Sequence, residues 1–279
     1  MAALADLCDK AFNQLWTRWK DPEAFDLDDS DLEKLSIYRG RMLDLVEPDS
    51  MPDSFFEPYP DDPELGGRVG TQHVIGLKEH WPSCLEDHHR VDCAQRLAGW
   101  FLSMFSLAFL DEPVENELDW ADSSFLCEDR KHQMPWYRGW DLHPEVFKGS
   151  QYEDTPQFCA NFVFRSEAQP HVGCILTDTR VPTEGRILRS EVIMALTLLR
   201  HETFHQKIPG QTNVPVIIYT VGHSEAARVT QFHVDNGKLV YRQSELLYLG
   251  SKNIDEVVID AIDLLRWMKC KPINNKALC

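Results

Sequence analysis

PVIIYTVGHSEAARVTQFHVDNGKLVYRQSELLYL, residues 215–249, decides the fold. An apolar run rich in β-branched residues, PVIIYTV, precedes two further strand-like segments that meet at Asn236-Gly237. Asn and Gly tolerate the positive φ of a two-residue turn, so the segments flanking them are predicted to form a β-hairpin. Just upstream, RSEVIMALTLLRHETFHQ (residues 189–206) has helical spacing. Met194, Leu198, His201 and His205 fall within about 60° of one another on a 3.6-residue helix, which puts two imidazoles on an otherwise apolar face. That face is expected to be buried or to line a cleft. Further upstream, QFCANFVFR (157–165) and HVGCILTDTR (171–180) read as two strands joined by a Ser/Gln/Pro turn. Downstream, IDEVVIDAIDLLRWMK (254–269) reads as a closing helix with apolar positions Val257, Ile259, Ile262, Leu265 and Trp267. The sum is an α+β fold, with about five strands in a mainly antiparallel sheet carrying the C-terminal half and helices packed on it.

The N-terminal part reads as helical. Leu4, Leu7, Ala11, Leu15 and Trp19 repeat at close to helical spacing until Asp21-Pro22 ends the run. A second helix is predicted from a Ser30/Glu33 capping box through Leu35 and Leu43 towards Pro48. Residues 47–70 are rich in Pro and Gly and predict an irregular wrap anchored by Phe55, Phe56 and Tyr59. Another helix is expected to start beside Pro82 and to run into LAGWFLSMFSLAFL (97–110), which at 14 residues is too short to span a bilayer. Cys84 falls in its first turn, where amides and dipole lower a thiol pKa, but without a base of known geometry the plainer expectation is an inert, half-buried thiol. Cys84, His88, His89 and Cys93 point to two faces roughly 140° apart and do not make one metal site. Three parts result: helical residues 1–110, an aromatic-rich irregular insert at 111–156, and a sheet-and-helix core at 157–279, all of which one domain could hold. In the insert, MPWYRGW (134–140) offers rings that could stack on a planar or cationic ligand or simply fill a core.

A helix, an apolar strand of PVIIYTVG type, then ARVTQFHVDNGKLVYR and a closing Leu-x-Tyr resemble a large group of uncharacterised proteins from filamentous fungi. The resemblance covers about residues 189–267, and the positions that carry it are Pro215, Gly222, Arg228, Gly237 and Arg242. These are structural residue types, and the group supplies no activity to carry over. It does imply a fungal-type protein, and fungal small-molecule, secondary-metabolite biosynthesis is a further alternative by fold and source analogy alone. One such class, tRNA-dependent cyclodipeptide synthesis, rests on fold and source analogy without a matching residue.

HETFH (201–205) fits H-E-x-x-H, in which two imidazoles at i and i+4 bind zinc while the glutamate works on the metal-bound water. His201, His205 and Glu225, 20 residues further on, would be the metal ligands and Glu202 the catalytic residue of a zinc-dependent hydrolase. Against this stand three observations. Lys207 occupies a flank that is usually apolar, Ile208 replaces the glycine of the metzincin extension, and Glu225 follows a strand-like run rather than lying on a second helix. His201 and Glu202 also lie outside the motifs of the fungal resemblance. With 11 histidines in the chain, chance alone supplies such a motif at an appreciable rate. The plainer expectation is that both histidines are structural and that no cofactor is bound.

Charge narrows the partners. The chain has 279 residues, with 28 Lys and Arg against 45 Asp and Glu, a formal charge of −17 that repels phosphate backbones and anionic membranes. A nuclease-like α/β site would need a carboxylate and a lysine on the strand that here offers Gln231 and His233. There is no P-loop, G-x-G-x-x-G or G-x-S-x-G. The eight cysteines lack C-x-x-C pairs, and the N-terminus has no basic-then-apolar leader, so reduced thiols and a cytoplasmic location are expected. The functional expectation is therefore an intracellular protein that acts through a cleft for a small molecule or a protein partner.

Overall fold

The computed structural model describes residues 2–17, 25–46, 55–69, 98–100, 158–165, 171–181, 183–205, 213–222, 226–249, 253–268 and 270–273. The fold is α+β. Its centre is a seven-stranded mixed sheet. Five of its strands are β4 (Phe158–Arg165), β5 (Val172–Asp178), β7 (Val216–Gly222), β8 (Ala226–Asp235) and β9 (Lys238–Gln243). The short strands β2 (Ile37–Arg39) and β10 (Leu247–Tyr248) complete it. The order is β2-β9-β8-β7-β5-β4, with β10 beside β8. Both expected hairpins are present: β4 pairs antiparallel with β5, and β8 with β9. The β8–β9 turn uses Asn236 and Gly237 at φ 48° and 75°, as the sequence predicts.

Two pairings are parallel, β5 with β7 and β2 with β9. The first is made by helix α4 (Arg189–His205), which leaves the carboxyl end of β5 and returns the chain to the amino end of β7. Every described side chain of β7 is buried, because helices cover both faces of this part of the sheet. On one face lies α4, itself buried along residues 189–199 between the sheet and helix α1 (Ala2–Thr17). Cys8, Ala11 and Leu15 of α1 belong to that core, together with Met194 and Leu198. On the other face lies helix α5 (Ile254–Met268), which buries Val257, Ala261, Leu264, Leu265, Trp267 and Met268. Each of the larger of these contributes about 1.5–3 kcal/mol of burial. Ile259 does not join them. It is 59% exposed, since it lies about 200° around the helix from Val257.

The N-terminal segments are built into this sheet. The predicted second helix is much shorter than its apolar spacing suggests. Helix α2 (Asp29–Lys34) is six residues long, and its cap is Asp28, whose Oδ1 accepts from Asp31 N at 3.0 Å. Ser36, at φ 60°, ends it, and Ile37–Arg39 then pairs with β9 instead of continuing the helix. Strand pairing across the molecule outweighs local helical spacing here. Two further ties are β1 (Asp26–Leu27) with β6 (Ile187–Leu188), and β3 (Phe56–Glu57) with β11 (Lys271–Pro272). The wrap at 55–69 buries Phe55 and Phe56, and it exchanges hydrogen bonds with Arg266: Tyr59 N donates to Arg266 O, and Arg266 Nε to Tyr59 O, both at 3.0 Å. It also contains a helix that the sequence reading did not expect, α3 (Pro63–Val69), with proline in its first position, where a missing N–H costs nothing. The expected helix from Cys84 and the insert at 111–156 lie outside the described residues, apart from helical residues 98–100. Among the described residues no helix is long and apolar enough to cross a membrane. Among the described residues Cys8, Cys174 and Cys270 are buried and form no disulfide.

Candidate functional site

HETFH forms the last turn of α4, so residues 201 and 205 do share a helix face. Glu202 is buried, and the Thr203 hydroxyl donates to Leu199 O at 2.7 Å. The imidazoles of His201 and His205, and Glu225 entirely, lie outside the described residues. Among the described residues no three His, Cys, Asp or Glu side chains converge as a metal site. The described neighbours of Glu225 in the chain, Gly222 and Ala226, stand at the end of the sheet where α4 begins, next to Asp178. HETFH stands where the helix ends, and from Ser190 to Glu202 the rise is about 18 Å.

Two clusters of buried polar side chains lie on opposite faces of the sheet, and they differ in one respect that matters. The first is at the start of α4. Glu191, in the helix's first turn, accepts from Leu188 N at 2.8 Å, which closes half of a capping box. Its Oε1 also accepts from Thr220 (2.5 Å), Arg228 Nε (2.9 Å) and Thr230 (3.1 Å), and its Oε2 from Arg228 Nη2. Arg228 Nη1 donates to Arg186 O at 2.7 Å, which ties down the β5–α4 connection. The same connection meets Phe25, whose ring is approached by the guanidiniums of Arg180 (4.7 Å) and Arg189 (4.5 Å). Asp178, at the carboxyl end of β5, accepts from Ser190 Oγ at 2.5 Å and from Arg180 N at 2.7 Å. Burial pushes its pKa up to about 7, and the charge of Glu191 adds to the rise, against the lowering effects of Ser190 and Arg180. The Glu191–Arg228 pair is well provided with hydrogen bonds, and what it holds together is the fold.

The second cluster lies on the α5 face. Ala227, Val229, Gln231 and His233 alternate onto that side of β8, the first two being core residues beside Trp267. Gln231 is opposite Arg242 of β9, and their Cβ atoms are about 5 Å apart by strand geometry. In the same core the Trp267 indole Nε1–H donates to Leu45 O at 3.1 Å. Phe55 packs on His233 (centroids 4.8 Å) and Phe56 on His171 (5.1 Å), the residue just before β5. All four polar side chains are at most 3% exposed. Arg242 donates through Nε to Arg41 O at 3.3 Å. Gln231 is different: its amide oxygen and its amide nitrogen are both buried without a hydrogen-bond partner. His171 is in the same condition at both ring nitrogens. The backbone of Phe55 and Ile273 is near enough to favour its cation, yet neither nitrogen reaches hydrogen-bond geometry, and burial wins, lowering its pKa to about 4.

Comparison with known proteins finds no matching family model and no significant match among curated proteins or solved structures. Pro215, Gly222, Arg228, Gly237 and Arg242, singled out in the sequence, have structural work here. Pro215 O accepts from Val172 N (3.1 Å), Gly222 ends β7 opposite Asp178, and Gly237 supplies the turn. Arg228 pairs with Glu191, while Arg242 reaches Arg41 O. Sequence reasoning singled out none of Asp178, Glu191 or His171. The one available signal was Gln231 and His233 at i and i+2 in an otherwise apolar strand, polar residues on a face that must be buried.

Proposed function

We propose that the protein acts by binding a small molecule at the α5 face of the sheet, in a cleft floored by Gln231, His233, Arg242 and His171. The observation that carries this is the pair of side chains, Gln231 and His171, whose four polar atoms are buried and lack partners. Native proteins satisfy nearly all such atoms, and each unsatisfied one costs about 1–3 kcal/mol. Polar atoms left without partners at that cost call for an explanation, and a ligand that pairs with them within apolar walls supplies one. The net charge of −17 favours a small molecule over nucleic acid. Native mass spectrometry after incubation with pooled metabolite-sized compounds is expected to show a noncovalent adduct on the wild type and none on Gln231→Leu. If neither carries an adduct and Gln231→Leu is more stable than the wild type, the amide is an isolated buried defect and the proposal fails.

A second reading is a zinc hydrolase, favoured by one observation: HETFH is helical through His205, as the i, i+4 ligand pair requires. It expects about one equivalent of zinc in the purified protein, lost in His205→Ala and kept in Glu202→Gln while hydrolysis disappears. Elemental analysis that finds no zinc after growth in zinc-supplemented medium removes it.

A further inference from the structure

We propose that the ligand of the α5-face site is uncharged where it meets Gln231 and presents there, in one plane, a hydrogen-bond donor beside an acceptor, as a primary carboxamide or an aminopurine edge does. This rests on the α5 face being the ligand site. The Gln231 amide carries one acceptor oxygen and one donor nitrogen, and both are buried without a hydrogen-bond partner. A carboxylate would satisfy the nitrogen and repel the oxygen, and an ammonium would do the reverse. A planar group with the amide's own complement, a donor beside an acceptor, pairs with both atoms at once, in the edge-to-edge manner by which glutamine reads adenine. His171 points to the same chemistry. A neutral imidazole also has one donor and one acceptor, and the burial of His171 keeps it neutral at physiological pH. An uncharged ligand avoids the large cost of bringing an unpaired charge into a floor that is at most 3% exposed. The rings of Phe55 and Phe56, tilted against His233 and edge-on to His171, supply apolar walls beside the polar floor.

Isothermal titration of the full chain with nicotinamide and with 9-methyladenine tests this, each against a control of the same shape without the N–H donor, 3-acetylpyridine and 9-methylpurine. At least one of the two probes is expected to bind about tenfold or more tightly than its control, since a site built for a hydrogen-bonding group rejects the analogue that lacks it. In Gln231→Leu the probe should fall to the level of its control with the circular dichroism spectrum unchanged. Should that variant fail to fold, the discrimination between probe and control by the wild type still decides. Equal binding of probe and control overturns the proposal, as does unchanged binding by a folded Gln231→Leu. If neither probe binds but other compounds give an adduct that depends on Gln231, this inference fails and the ligand site survives. If nothing binds at all, both fail.

Discussion

Arg228→Met is expected to destabilise the fold by about 3–5 kcal/mol, measured as the loss of unfolding free energy in urea. The change leaves Glu191, which has no solvent exposure, as a buried carboxylate without its cation. Thr220, Thr230 and Leu188 N still donate to it, but three neutral donors do not replace a guanidinium that bonds both carboxylate oxygens. The change also removes the bond to Arg186 O, so the β5–α4 connection loosens as well. The partner experiment separates the value of the pair from the penalty of breaking it. Glu191→Leu combined with Arg228→Met should recover most of the loss, because a well-packed apolar replacement of a buried ion pair is often neutral or stabilising. A cost below about 1 kcal/mol for Arg228→Met alone would mean that the pair is not buried as described.

The second large effect concerns pH. Asp178 titrates at about 7 in the folded protein against 3.8 for the ordinary carboxyl. Between those values the folded state holds a proton that the unfolded state releases, so stability falls as pH rises through this window. The slope approaches about 1.4 kcal/mol per pH unit, and the total reaches about 4 kcal/mol at most. Asp178→Asn removes the ionisation while its amide can still accept from Arg180 N and meet Ser190. The variant is therefore expected to be close to the wild type at pH 4 and more stable by about 2–4 kcal/mol at pH 8. Urea midpoints for both proteins at pH 4, 6 and 8 check this, and a difference that does not change with pH refutes the titration of Asp178. His171 works in the opposite direction. Its lowered pKa adds stability that is lost as pH falls from 6.5 through about 4, so His171→Gln provides the control at the acid end.

What the sequence determined by itself was whatever short-range pattern can encode. Helices α1, α4 and α5 are periodic over 15 to 17 residues, and the Asn236-Gly237 turn dictates its own hairpin through two positive φ angles. The strands β4, β5 and β7 were legible from their β-branched and aromatic runs, and with them the α+β class. The tertiary structure alone decided which strands lie side by side. Nothing local in Ile37–Arg39 states that it will pair in parallel with β9, and that pairing is what cut the second helix to six residues. The parallel joining of β5 to β7 is likewise a consequence of α4 crossing the sheet. The candidate site depends on the same kind of information. Gln231 and His171 are 60 positions apart in the chain and come to one face only through the register β5–β7–β8. Glutamine and histidine are ordinary residues on an exposed strand face. Burial without partners is what makes them unusual, and burial is a property of the neighbours that the fold brings to them.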